Sequence, residues 1–240
     1  MRIIDKKTGK RIGQKMTPDL KEYNKKMKDD DPIMRNVEKS DNTQELSAMD
    51  PPSAYDKDRK VGGNPDVLDV FLKELVEDHK EVTKKTQTFD EALLAFKENG
   101  YVINHDINKV FNAFFVFFDE NILPHNQKEE KHYFRILDQR MREDGEHGSN
   151  DETYTAIELM EDDHVKFIQL ATLTFNLLGL GNRLQDPQSR ALTMDLAYNS
   201  GRELVELLRL HIFREDETLF PMSQKLLTAD DFAYINECHK

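Results

Sequence analysis

One short phrase, a histidine followed four positions later by a glutamate, occurs twice in the chain at an offset of 86 positions. The first copy joins His125 to Glu129, and the second joins His211 to Glu215. A phenylalanine follows each histidine by nine positions, and another histidine precedes each by 46 or 47 positions. Since residues four apart share one face of an α-helix, each phrase points an imidazole and a carboxylate in the same direction. The repeat predicts a carboxylate-bridged two-metal site inside a helix bundle.

Apolar residues recur at spacings of three and four over four stretches of the chain, as they do in amphipathic helices. Each of the histidines His79, His125, His164 and His211 lies on one of these stripes, where a leucine would be expected. Strand-like alternation is absent from residues 64–240. Long helices joined by short loops predict an all-α domain, an up-down-up-down four-helix bundle that spans residues 64–240.

Residue types at the expected helix ends set the predicted boundaries. Asn64-Pro65 is a good helix start, and Asn99-Gly100 is a typical stop. Gly179 and Gly181 are expected to end the third helix, and Pro124 is expected to kink the second or break one of its hydrogen bonds. The predicted bundle helices cover residues 65–98, 106–142, 152–178 and 187–227, and a short last helix begins after Thr228.

A single histidine on such a stripe is most simply a core residue with a hydrogen-bond partner. Six polar groups that converge on one core are costly unless they pair or bind a metal. Nitrogen and oxygen ligands without thiolate suit iron or manganese, with zinc also open. Six ligands exceed what one zinc site uses, but they serve two metals if each takes two histidines and shares both glutamates. An oxo or hydroxo bridge would complete five ligands per metal and leave one position open.

The other four histidines are weaker candidates for metal ligands. His105 is 20 positions before His125, which places it on the opposite helix face. His147 falls in a loop that contains two glycines, and His239 is next to the last residue. His132 is seven positions after His125, which places it on the same inner helix face, and it is expected to support the site or the core.

Residues 1–63 differ in composition from the rest of the chain. All 14 phenylalanines lie at position 71 or later. Residues 1–64 carry 15 Lys and Arg against 12 Asp and Glu, a net charge of +3, so the remainder carries −15. A segment of this kind buries too little apolar surface to offset its ordering entropy. We therefore expect a largely irregular N-terminal extension, with a short hairpin through residues 2–12 as the alternative.

Charge and cysteine content restrict the partners and the compartment. The net charge of −12 argues against nucleic acid or an anionic membrane as the main partner. Cys238 is the one cysteine, so an intrachain disulfide, an iron–sulfur cluster and a thiolate zinc site are all excluded. The sequence shows neither a secretory h-region nor a run of 18 apolar residues. These features favour a cytoplasmic protein that does not span a membrane.

The residues around the four histidines resemble those of the hemerythrin-like, or HHE cation-binding, family over about residues 64–236. The phrases that carry the resemblance are Glu77-Asp78-His79, Leu123-Pro124-His125-x-x-x-Glu129-Glu130, Glu161-Asp162-Asp163-His164 and His211-x-x-x-Glu215-Asp216-x-x-Leu219-Phe220-Pro221. The resemblance implies a non-haem di-iron centre. Its implied ligands are His79, His125, Glu129, His164, His211 and Glu215.

Two positions matter in a comparison with the oxygen-carrying members. Those members have a second histidine four positions after the third-helix ligand, where this chain has Ile168, and a histidine placed there is expected to reach the site. They also use an aspartate five positions after the last histidine. Asp216 occupies that position, but Glu215 matches the first repeat and is the predicted ligand. The extension lacks the cysteine pair of the family's iron-repair proteins.

Three functions share the same six ligands. The first is a di-iron protein that binds or senses O2, NO or cellular iron. The second is an enzyme that consumes peroxide or NO at the same centre. The third is a donor of iron for the repair of iron centres. The expected partner is therefore a small diatomic molecule or peroxide, and the sequence leaves the choice among the three open.

Overall fold

The computed structural model describes residues 68–145 and 155–238, and within those residues all regular structure is helical. The α-helices in chain order are α1 (Val70–Glu98), α2 (His105–Phe117), α3 (Leu123–Lys128), α4 (Phe134–Asp144), α5 (Ala156–Arg183), α6 (Pro187–Arg214), α7 (Phe220–Leu226) and α8 (Ala229–Cys238). Short π-helical segments join some of them: π1 (Phe118–Ile122), π2 (Glu129–Tyr133) and π3 (Glu215–Leu219).

These elements form four long helical runs. The first run is α1 and the third is α5, whereas the second extends from α2 to α4 and the fourth from α6 to α7. The first run packs against the second and the fourth, and the third packs against α6 and α4. The predicted all-α bundle is confirmed. The short α8 also forms as predicted and contacts α1 and π2.

The helix ends agree with the predictions in part. Asn99 follows the last residue of α1, and Gly100 adopts a φ of +64°, which a glycine tolerates without steric cost. The start of α1 differs, because the helix begins at Val70 and the Asp69 side chain accepts a hydrogen bond from Phe71 N. The predicted start at residues 64–65 lies outside the described residues, as do the extension, His147 and His239.

The prediction that Gly179 and Gly181 end the third helix was wrong, because α5 continues through both to Arg183. A Cβ atom added to Gly181 would lie 2.6 Å from the sulfur of Met194 on α6. The absence of a side chain at Gly181 therefore leaves room for the buried side chain of Met194. This glycine serves helix packing rather than helix termination.

Each predicted stripe is largely buried. His79, His125, His164 and His211 are all buried, together with most of the apolar residues predicted to share their faces. Phe175 continues the spacing of the third stripe, eight positions after Phe167, but its side chain is exposed. The apolar core includes a stacked pair, Phe89 and Phe114, whose ring centroids are 3.9 Å apart.

Deletion of residues 1–60 should leave helix content and metal binding unchanged. The reason is that every core contact described above lies within residues 68–238, and the deleted segment holds no phenylalanine and no histidine. Circular dichroism and metal analysis of the truncated protein would test this expectation. A truncated protein that fails to fold, or folds without metal, would show that the extension belongs to the domain.

Candidate metal centre

The six side chains predicted as ligands come together in the interior of the bundle. They form two overlapping groups, and within each group one potential ligand atom per residue lies within 4.8 Å of every other. Both groups contain Glu129 and Glu215. The first half of the centre adds His79 and His125 to the shared pair, and the second half adds His164 and His211.

The imidazole rings meet in pairs through their Nε2 atoms. The Nε2 atoms of His79 and His125 lie 3.0 Å apart, and those of His164 and His211 lie 3.1 Å apart. Such close nitrogens can both bind one metal ion, for which neutral imidazole is a preferred ligand. Each half therefore offers two nitrogens at one point.

The carboxylates of Glu129 and Glu215 are fully buried, and all four of their oxygens lack a hydrogen-bond partner of acceptable geometry. The nearest imidazole nitrogens lie 3.2 to 3.4 Å away, within ion-pair distance. A buried carboxylate without hydrogen bonds is costly, and a bound cation is the usual compensation. The chemistry of these donors fits a pair of metal ions.

A second layer of carboxylates fixes the outward nitrogens of the first half. His79 Nδ1 donates to Asp216 Oδ1 at 2.8 Å, and His125 Nδ1 donates to Asp78 Oδ2 at 3.2 Å. The second half repeats the arrangement: His164 Nδ1 lies 2.7 Å from Glu130 Oε1, and His211 Nδ1 lies 3.4 Å from Asp163 Oδ2. A carboxylate on the outer nitrogen fixes the tautomer that leaves Nε2 for a metal.

Aromatic rings complete the arrangement. The ring of Phe220 stacks on His79 with centroids 5.5 Å apart, and Phe134 stacks on His164 with centroids 5.8 Å apart. These are the phenylalanines that follow the two repeated histidines by nine positions. Each packs on a histidine of the other half, so the halves support each other.

The π segments explain how that nine-residue spacing works. In an uninterrupted α-helix, nine steps of about 100° would turn each phenylalanine about 180° away from its histidine. The segments π2 and π3 begin at Glu129 and Glu215, and each accommodates one extra residue in its turn. The extra residue brings Phe134 and Phe220 back to the buried side. Periodicity in the sequence did not reveal these segments.

Pro124 lies just after the other π segment. A proline has no N–H and clashes with the carbonyl four positions earlier in an α-helix. The wider turn of π1 ends at Ile122 and relieves this conflict, with Leu123 N bonded to Phe118 O. The effect predicted for Pro124 therefore takes the form of a local π segment.

The carboxylates strongly favour protonated imidazoles when no metal is bound. Burial alone would lower the pKa of His79, but a hydrogen bond to Asp216 and the nearby negative charge of Glu215 raise it to about 10. Burial likewise opposes charge on His125 and His164, yet neighbouring carboxylates raise their pKa values to about 9 and about 10. The positive imidazoles in turn outweigh burial and hold the pKa of Glu129 well below its usual range.

Metal binding should therefore release protons at neutral pH. A metal needs neutral imidazole, whereas His79, His125 and His164 are protonated below their raised pKa values of about 9 to 10. Affinity should rise with pH through the neutral range and level off near pH 10, because protons then stop competing. Titration of metal-free protein with Zn²⁺ in a weakly buffered indicator solution would measure the release.

A matched pair of variants tests the source of these protons. His79→Ala should reduce the number released, and His132→Ala should leave it unchanged. His132 is half-buried, with its ring edge-to-face against Tyr234 at 5.8 Å, outside both ligand groups. Equal proton release from both variants would contradict the assignment.

The structure separates the remaining predicted positions from the centre. His105 is exposed at the start of α2, in agreement with its predicted place on an outer face. The prediction that a histidine at position 168 would reach the site was wrong, because the Ile168 side chain is 47% exposed. The buried stripe of α5 passes from His164 to Phe167, whose ring lies 4.9 Å from that of His211.

Sequence reasoning missed the supporting roles of Asp78, Glu130, Asp163 and Asp216. The available signal was their position, because each is the immediate sequence neighbour of a buried histidine or glutamate. Asp216 illustrates the distinction from a ligand. Its carboxylate is 30% exposed and contacts the outer nitrogen of His79, whereas Glu215 lies inside the cluster.

The helical bundle and its buried histidine–glutamate cluster define a metal-binding protein. The model of the hemerythrin HHE cation binding domain matches residues 70–223, well over half of the chain, and the protein belongs to that family. No curated protein and no solved structure matches the chain significantly. Among the described helices, none has both the length and the apolar character needed to cross a bilayer.

Proposed function

We propose that the centre holds two iron ions with an oxo or hydroxo bridge, and that it binds or senses O2, NO or cellular iron. The observation that carries this proposal is the pair of overlapping ligand groups that share both glutamates. His79 and His125 would hold one ion, and His164 and His211 the other. Iron suits a nitrogen and oxygen donor set without thiolate. Bound iron would supply the redox chemistry and the affinity for small diatomic molecules that side chains lack.

We propose binding rather than turnover as the function of the centre. Consumption of peroxide or NO requires proton transfer by a suitably placed group. All four imidazoles face carboxylates through Nδ1, and the buried Tyr133 hydroxyl shares a hydrogen bond of 2.7 Å with Ser223 Oγ. These hydrogen bonds hold the groups in fixed positions, and the proposed binding function requires no proton transfer from them. We propose a cytoplasmic location for this function, since a chain with one cysteine suits a reducing compartment.

Protein loaded with Fe²⁺ under exclusion of air should contain two irons per chain. Elemental analysis after desalting would measure this ratio, and His132→Ala should retain it because His132 lies outside both ligand groups. One iron or none in a correctly folded protein would refute the di-iron proposal.

The same preparation distinguishes the alternative functions. A centre that binds or senses should change its optical spectrum with O2 or NO, without steady consumption of the ligand. Continuous loss of peroxide or NO at a catalytic level of protein would identify an enzyme. Rapid transfer of iron to a metal-free acceptor would identify an iron donor.

A further inference from the structure

Two positively charged side chains occupy equivalent positions beside the centre. Lys128 and Arg214 each immediately precede the shared glutamate of their helical run. Lys128 Nζ donates to Asp78 Oδ2 at 3.2 Å, and Arg214 Nη1 donates to Asp163 Oδ2 at 3.2 Å. In each half, that same carboxylate oxygen also faces a histidine Nδ1. Both halves therefore have the same arrangement, in which a positively charged side chain contacts the carboxylate that faces a histidine.

The surroundings of these two ion pairs are very different. The side chains of Lys128 and Asp78 are 45% and 41% exposed, whereas those of Arg214 and Asp163 are 8% and 2% exposed. An exposed ion pair contributes little to stability and separates readily. Separation of a buried pair leaves uncompensated charges inside the protein, which is strongly unfavourable. The first half is thus closed by a weak contact and the second by a strong one.

A cleft of about 130 Å³ adjoins the first half, between α1 and the second helical run. Its lining includes Asp78, Glu81, Glu120, Asn121, His125 and Lys128. A ligand of the centre, His125, therefore forms part of the wall. Glu81 and Glu120 are exposed, and their negative charge favours the approach of cations.

We propose that the two metal positions exchange unequally: divalent cations enter and leave through the His125 cleft, and Arg214 keeps the His164–His211 half closed. This inference rests on the proposed two-metal function. Arg214 acts as a positioning residue, because it contacts Asp163 and reaches His211 only through that carboxylate. The Asp78–Lys128 ion pair beside His125 is more exposed than the Arg214–Asp163 pair. The first half therefore opens more often.

Release of iron to a chelator would test the inequality. The full-length protein, loaded with Fe²⁺ under exclusion of air, would be mixed rapidly with an excess of a chromogenic Fe²⁺ chelator. Two phases of equal amplitude are expected, each corresponding to one iron. A chain that loads with fewer than two irons would overturn the proposed function as well, whereas two irons released in one phase would overturn the inequality alone.

A bulky residue in the cleft should identify the faster phase. Asn121→Trp adds a large side chain at an exposed position of the lining and should slow the faster phase severalfold, with the slower phase unchanged. Asn112→Trp is the matched control, because Asn112 is exposed on the same helical run and is not part of the lining. Equal slowing of both phases by Asn121→Trp, or of neither, would refute the cleft as the route.

Substitutions of the cations should identify the slower phase. Arg214→Leu should speed that phase by up to about 10-fold, the lower end of the effect of losing a direct outer partner of a metal ligand, because Arg214 acts on His211 through Asp163. Arg214→Lys retains the charge, is expected to fold if the leucine variant does not, and should speed the same phase to a smaller extent. Lys128→Met is the matched control and should leave the slower phase unchanged. If neither Arg214 variant changes the rate of the slower phase, the proposed role of this residue is overturned.

Discussion

Replacement of Glu129 or Glu215 by alanine should remove most of the iron, whereas Asp216→Ala should leave most of it bound. Both glutamates belong to both ligand groups, so the loss of either one takes a carboxylate from each metal. Asp216 instead contacts the outer nitrogen of His79. Loss of such an outer partner typically weakens metal affinity about 10- to 100-fold, which saturating iron can offset.

The iron-to-protein ratio after loading and desalting would measure these effects. Glu217→Ala is a suitable control, because it removes another carboxylate from π3 that is in neither ligand group. Circular dichroism would confirm that each variant keeps its helices. If Asp216→Ala loses the iron while Glu215→Ala retains it, the shared ligand has been assigned to the wrong neighbour.

Exposure of the reduced di-iron protein to O2 should oxidise both irons, and removal of the gas should not restore the reduced form. The two halves offer equivalent ligands, two histidines and the shared glutamates, so both irons are expected to donate electrons. Anionic carboxylates also stabilise the higher charge of ferric iron. We expect the near-ultraviolet absorption of an oxo-bridged di-ferric centre to appear and persist.

Repeated cycles of O2 exposure and gas removal, followed by absorption spectroscopy, would test this expectation. Ile168→His should behave like the unmodified protein, because position 168 faces the solvent rather than the centre. A stable oxygenated spectrum that returns to the reduced form over many cycles would instead identify an oxygen carrier.

The sequence predicted the bundle and the six residues that meet in its interior, because helix periodicity and a spacing of four are both local features. Helix periodicity assigned His79, His125, His164 and His211 to buried faces, and a spacing of four joined each glutamate to its histidine. Neither inference requires knowledge of how the helices pack against each other. They follow from the geometry of a single α-helix.

The features that the sequence did not reveal depend on contacts between helices. Gly181 has the residue type of a helix terminator, but its role is set by Met194 on α6. Ile168 has the spacing of a ligand, but the orientation of α5 in the bundle turns Phe167 inward instead. The π segments escape detection because the extra residue changes the phase of the apolar stripe, while the stretches before and after it each keep ordinary helix periodicity.

The crossed support between the halves has a consequence for how the chain can be divided. Phe134 and Glu130, from the first copy of the repeat, hold His164, while Phe220 and Asp216, from the second, hold His79. A lone hairpin would keep the carboxylate on one of its histidines, Asp78 on His125 or Asp163 on His211, but it would lose both the carboxylate and the ring that hold the other. Neither hairpin therefore forms a complete half of the centre by itself.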